Sequence, residues 1–141
     1  MSGDPRTIVV GYDGSPTARA ALEHAAQRAG DGGRLFVVYA YAPPGGMLGG
    51  AAYDRVVVDH QAHGFEVLAG LPDLPGVHVE TELIGDHAAA AIARVAEVRQ
   101  ADEIVVGSRG FSPLRSALGS TSHELLHRAD RPVTVIPAQE S

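Results

Sequence analysis

The chain has no cysteine and no lysine, and its longest apolar run extends only from Leu35 to Ala42. Without cysteine there is no disulfide, no iron–sulfur cluster and no thiolate zinc site, a composition that fits a reducing cytoplasm. Without lysine no Walker A phosphate loop can be completed, because that motif needs an ammonium directly after its glycines. The apolar run is far short of the roughly 20 residues of a membrane helix, and Met1 to Arg6 lacks the pattern of a secretory signal. Positive charge is also sparse. Scattered arginines, 11 in all, face 17 acidic residues and leave a net charge of −6, whereas nucleic-acid surfaces need clustered cations. The expectation is a cytoplasmic protein with neither a nucleic-acid nor a membrane partner, in which any anion site is local.

What is present fits one domain over residues 1–141, long enough to bury a core. Ile8-Val9-Val10, Leu35 to Tyr41 and Ile104 to Val106 are unalternating, β-rich runs, the signature of parallel strands covered on both faces. Val77 to Leu83 alternates apolar with polar residues and reads as a half-exposed edge strand, and Pro132 opens a last strand. Between them lie four helical patterns. Ser15-Pro16 is a start signal for the first, whose buried face is Ala18, Ala21, Leu22, Ala25, Ala26 and Ala29, and Gly30 ends it. The second spans Tyr53 to Leu71, with Val58, Ala62, Phe65 and Leu68 or Ala69 as its inward stripe. The third begins at an Asp86 cap, with Ala88, Ala91, Ile92 and Val95 on one face. The fourth comes after Gly119, with Leu118, Thr121, Ser122, Leu125, Leu126 and Ala129 inward. The order β-α-β-α-β-α-β-α-β calls for right-handed crossovers and a parallel sheet. Ala42 to Gly50, rich in proline and glycine, reads as a loop leaving the carboxyl end of the second strand, either a lid or a plain connection.

Two glycine-bearing segments carry the functional signal. Gly11-Tyr12-Asp13 succeeds the first strand. Gly107, Gly110, Gly119 and Ser120-Thr121-Ser122 succeed the fourth, so a strand runs into glycines and then into a hydroxyl-rich helix start. Glycine lets a ligand approach the backbone, and the free N–H groups of a helix start attract anions. The alternative is that these glycines only make tight strand-to-helix turns. Histidines give weaker signals: His60 and His63 beside Asp59 read as a solvated face, and His123-Glu124-Leu125-Leu126-His127, although it has the His-Glu-x-x-His order, reads as surface residues of a helix.

Together with the closing Arg131-Pro132-Val133-Thr134-Val135-Ile136-Pro137, these segments resemble the universal stress protein family over essentially the whole chain. In its nucleotide-binding branch the pattern is glycine, two residues, glycine, nine residues, glycine and a serine or threonine. Here only Phe111 to Leu118, eight residues, separate Gly110 from Gly119. A deletion in a loop, at Ser112-Pro113, would leave the cradle intact, whereas one inside the helix would rotate the residues beyond it by about 100°.

The resemblance implies an α/β fold, a single doubly wound five-stranded parallel sheet ordered 3-2-1-4-5 with two helices on each face. The crevice then opens where strand order reverses, at the carboxyl ends of strands one and four. It further implies ATP as ligand, with phosphates at the backbone of Gly110, Gly119, Ser120 and Thr121, helped by Arg109. Asp13 would lie at the sugar and metal, and Gly11, Tyr12, Ala40 and Gly107 would border the nucleoside. Mg²⁺ is expected because polyphosphate carries more charge than Arg109 and Arg115 offset. An Asx turn at Asp13 is the competing reading. No catalytic set can be assembled from the sequence, so the implied role is a nucleotide-responsive stress regulator, with slow ATP hydrolysis open. The alternative is a nucleotide-free interaction module. In either case the resemblance implies a homodimer through the Pro132–Pro137 strand.

Overall fold

The computed structural model describes residues 4–42, 49–108 and 119–137. Along the chain run β1 (Thr7–Gly11), α1 (Pro16–Ala29), β2 (Arg34–Tyr41), α2 (Gly50–Ala69), β3 (His78–Gly85), α3 (Ala88–Val98), β4 (Glu103–Gly107), α4 (Ser120–Arg128) and β5 (Val133–Ile136). All strand pairs are parallel and the order is β3-β2-β1-β4-β5. This is the α/β architecture that the resemblance implied. The unalternating runs sit at the centre for the expected reason, since both faces are covered. Val9, Phe36, Val38, Ile104 and Val106 pack under α3 and α4, while Ile8, Val10, Leu35, Val37 and Val105 pack under α1 with Val67 and Leu68 of α2.

Local chemistry sets the ends of α1 as read from the sequence. Ser15 Oγ accepts from the Ala18 N–H at 3.2 Å, Pro16 opens the first turn, and Gly30 closes the helix at φ +76°. α3 departs from the expected cap. His87 is its N-cap residue, and the Asp86 carboxylate reaches only the N–H of His87 itself, at 2.7 Å, because it stands one position too early.

α2 departs more. It begins at Gly50, inside the segment expected to be loop, and the stripe Val58, Ala62 and Phe65 points to solvent; Phe65 is 64% exposed. The inward face centres on Gly64, the one buried residue of the helix. A Cβ there would collide with Leu83 Cδ1 and lie 2.8 Å from the Tyr39 ring. The helix is drawn onto the sheet by a missing side chain. In α4 the seam is also narrower than expected, with Ser122 and Leu125 buried but Leu126 half exposed.

At the amino end of the sheet Glu103, the first residue of β4, is fully buried. Its carboxylate accepts from Arg28 Nη2 at 2.7 Å and Nε at 3.0 Å and from the Thr134 hydroxyl, and Arg6 stands 4.0 Å away. One side chain thus ties α1, β4 and β5 together, beside Arg6 at the entry to β1. Burial alone would push the carboxyl up, but the hydrogen bonds from Thr134 and Arg28 and the charges of Arg28 and Arg6 together hold it below the usual carboxylate range.

Candidate nucleotide-binding crevice

β1 and β4 are neighbours, and β1 leads to β2 on its other side, so the strand order reverses between them. At their carboxyl ends a cavity of about 260 Å³ opens. Gly11, Tyr12 and Asp13 line it from β1, Ala40 from β2, Gly107 from β4, and Gly119, Ser120 and Thr121 from the start of α4. The structure brings these eight residues together at one crevice. Arg109 and Gly110, with Ser112, Pro113, Arg115 and residues 43–48 of the expected loop, lie outside the described residues.

Two of the glycines have a packing reason. Neither Gly11 nor Gly107 has positive φ. A Cβ on Gly11 would come within 2.6 Å of Ile92 Cδ1, and one on Gly107 within 2.9 Å of Thr17 Cβ. They let α3 and the first turn of α1 close onto the strand ends. The result is that three helix starts converge: Ser15, Thr17 and Ala18 of α1, Ala88 of α3, and Ser120 to Ser122 of α4 all line the cavity. The first turn of each helix has N–H groups without intrahelical partners and the positive end of a macrodipole. Asp13 is the only charged residue among the described lining, and the three helix starts add positive backbone ends.

Asp13 Oδ1 accepts from the Ser15 N–H at 2.9 Å, which is the Asx turn, and this fixes the carboxylate at the cavity wall. Burial first, and the Asp13 charge second, push the nearby Tyr39 hydroxyl above its ordinary value. The N–H of Tyr12 is committed to the Val38 carbonyl at 2.9 Å. Opposite Asp13, α4 is clasped to β4. The N–H of Gly119 donates to the Ser108 carbonyl, and the buried Ser122 hydroxyl reaches the carbonyls of Gly107 at 2.8 Å and Ser108 at 3.2 Å. Ser108 in turn donates its N–H to the Ile136 carbonyl at 2.7 Å. The Ser122 hydroxyl thus holds the start of α4 against the carboxyl end of β4.

The model of the universal stress protein family matches residues 5–137. The chain belongs to that family. A universal stress protein of Thermus aquaticus is 35% identical over 134 residues, covering 93% of this chain and 98% of the relative. Among solved structures, a universal stress protein in complex with cAMP superposes with a TM-score of 0.64 at 22% identity, covering 96% of this chain and 98% of that one. A universal stress protein from Archaeoglobus fulgidus in complex with dAMP gives 0.58 at 24% identity, covering 96% and 99%.

Within this universal stress protein domain, sequence reasoning missed Thr17, Ala88, Ile92, Ser108 and Ser122 as crevice residues. Periodicity marks Ala88, Ile92 and Ser122 only as the inward faces of helices. For Thr17 a signal existed, because a helix that comes directly after the first strand must start beside the reversal point. For Ala88 and Ile92 there was none, since α3 reaches the crevice only through its packing against Gly11.

Proposed function

We propose that this domain binds an adenine nucleotide, ATP with Mg²⁺, between β1 and β4 and acts as a nucleotide-responsive stress regulator. The observation that carries the reading is the convergence of three helix starts on a cavity that also has an apolar wall of Val38, Ala40 and Ile92. The helix starts suit phosphate, and the wall suits a purine ring. Relatives of the same fold solved with cAMP and dAMP support it. Backbone N–H groups of Ser120 and Thr121 would meet the phosphates. A magnesium ion would suit the site as well, because the oriented Asp13 carboxylate lies at its wall. Mg²⁺ is commonly held by one or two carboxylates plus substrate phosphates, whose charge it neutralises.

Calorimetry of the purified protein with ATP and Mg²⁺, after denaturing a sample to release co-purified nucleotide, tests the reading. No heat at millimolar ATP in nucleotide-free protein would overturn it. Asp13→Asn separates the two roles of that residue. The amide oxygen keeps the bond to the Ser15 N–H, so stability should change by less than about 0.5 kcal/mol, while Mg²⁺-dependent ATP affinity should fall at least tenfold, about 1.4 kcal/mol. Unchanged affinity would reduce Asp13 to a turn residue.

The rival reading, a nucleotide-free dimeric interaction module, draws on the packing roles of Gly11 and Gly107. Both readings share an assembly. Among the described residues β5 pairs only with β4 and is a sheet edge between two prolines, with the uncharged, β-prone Val133 to Ile136 between them. We infer a homodimer by antiparallel pairing of β5 about a two-fold axis. The carbonyls of Pro132 and Ile136 accept from Ile104 and Ser108 of the β4 segment, so the N–H of Val135, of opposite parity, faces the free edge. Val135→Pro removes that donor and leaves the β4 ladder intact. It should give monomer by light scattering at micromolar concentration; a dimeric Val135→Pro protein would move the interface elsewhere.

A further inference from the structure

On the outer face of α4, His123 and His127 are both exposed, and their ring centroids lie 4.7 Å apart at an interplanar angle of 71°. Neither lines the crevice. One helical turn separates them, so their side chains rise from the same strip of surface. A metal-bound imidazole has its nitrogen at about 2.0–2.1 Å and its ring centre at about 3.2 Å from the ion; with one nitrogen of each ring turned to a shared cation, two ring centres 4.7 Å apart would subtend about 95° there. That angle suits the tetragonal sites of Cu²⁺ and Ni²⁺ better than tetrahedral Zn²⁺. The adjacent Glu124 carboxylate does not compete, because it is paired with Arg128 at 2.8 Å. No group of three or more His, Cys, Asp or Glu is poised to hold a metal among the described residues, so a cation here would take its remaining ligands from water.

We propose that His123 and His127 form a two-point chelate for a tetragonal divalent cation, Cu²⁺ or Ni²⁺, on α4. The geometry that carries it is the spacing of two solvent-facing imidazoles on a helix whose inward residues, Ser122 and Leu125, are buried and fix its position. Copper is favoured over nickel by the general affinity order of divalent metals.

Titration of the full chain with Cu²⁺ alone, monitored by calorimetry and electron paramagnetic resonance, tests this. The expected result is one saturable equivalent per chain with hyperfine coupling to two imidazole nitrogens. His123→Ala and His127→Ala should each weaken binding at least tenfold and leave a single-nitrogen signature, while His60→Ala/His63→Ala, on α2, should bind as wild type. Both α4 positions are exposed, so circular dichroism should show folded protein throughout. The proposal is overturned if wild type shows no saturable binding below millimolar Cu²⁺. It is equally overturned if the α4 variants bind with unchanged affinity, or if only the His60→Ala/His63→Ala variant loses the ion.

Discussion

Arg28→Ala should cost about 3 kcal/mol of unfolding free energy at pH 7, read from the midpoint of urea denaturation. The loss comes less from the arginine, which is half exposed, than from Glu103, which it leaves in a fully buried position with Thr134 as its remaining hydrogen-bond partner and Arg6 4.0 Å away. Removal of one partner of a buried pair costs about 3–5 kcal/mol, and residual attraction to Arg6 places this case at the low end. The same contacts set the pH dependence. In the native protein Glu103 is held below its usual range, so its contribution is fully present above the unfolded carboxyl value of about 4.3 and is lost as pH falls through the folded value. Without Arg28 the burial of Glu103 is less well offset and its folded value rises, so wild type and variant should converge in stability as pH falls through the folded value of the wild type. A penalty under about 1 kcal/mol at pH 7, or one that does not narrow in acid, would show that Glu103 is solvated or otherwise neutralised.

Gly107→Val should have the second large effect, on stability and ligand together. The new Cβ would meet Thr17 Cβ at 2.9 Å, its hydroxyl at 3.0 Å and its backbone carbon at 3.1 Å. Since backbone is among the atoms struck, trimming Thr17 gives no relief. The first turn of α1 must move, at a cost of about 1–3 kcal/mol for overpacking, and ATP affinity should fall at least tenfold, about 1.4 kcal/mol. Gly11→Ala provides the contrast, because its nearest neighbour is the mobile end of Ile92, and should remain within about 1.5 kcal/mol of wild type. If Gly107→Val melts with wild type and binds ATP normally, α1 does not bear on the crevice.

The parts of this fold that were legible in the sequence are those in which one local rule speaks alone. Ile8 to Val10 and Ile104 to Val106 are β-branched throughout and lie where such strands must, in the middle of a parallel sheet. Ser15-Pro16 and Gly30 fix α1, and the alternation around Val79 to Leu83 marks an edge. The crevice was legible at Gly11, Asp13, Gly107 and Gly119 because topology and turn chemistry agree there. Where side chains compete, the sequence was a poorer guide. α2 offers an apolar stripe through Val58 and Phe65, yet its contact face is the one with glycine, because closeness to Tyr39 and Leu83 matters more than hydrophobic count. Glu103 reads as a turn residue ahead of a strand, since its partners Arg28 and Thr134 are 75 and 31 positions away. Long-range ionic pairing leaves no local pattern.

The clasp between β4 and α4 decides which parts of the molecule can open separately. The N–H of Gly119 donates to the Ser108 carbonyl, the Ser122 hydroxyl donates to the carbonyls of Gly107 and Ser108, and the N–H of Ser108 donates to the Ile136 carbonyl. α4 and β5 are therefore both fastened to the carboxyl end of β4. In native-state hydrogen exchange the two should open as one unit, because parting either from Ser108 exposes the residue that holds the other.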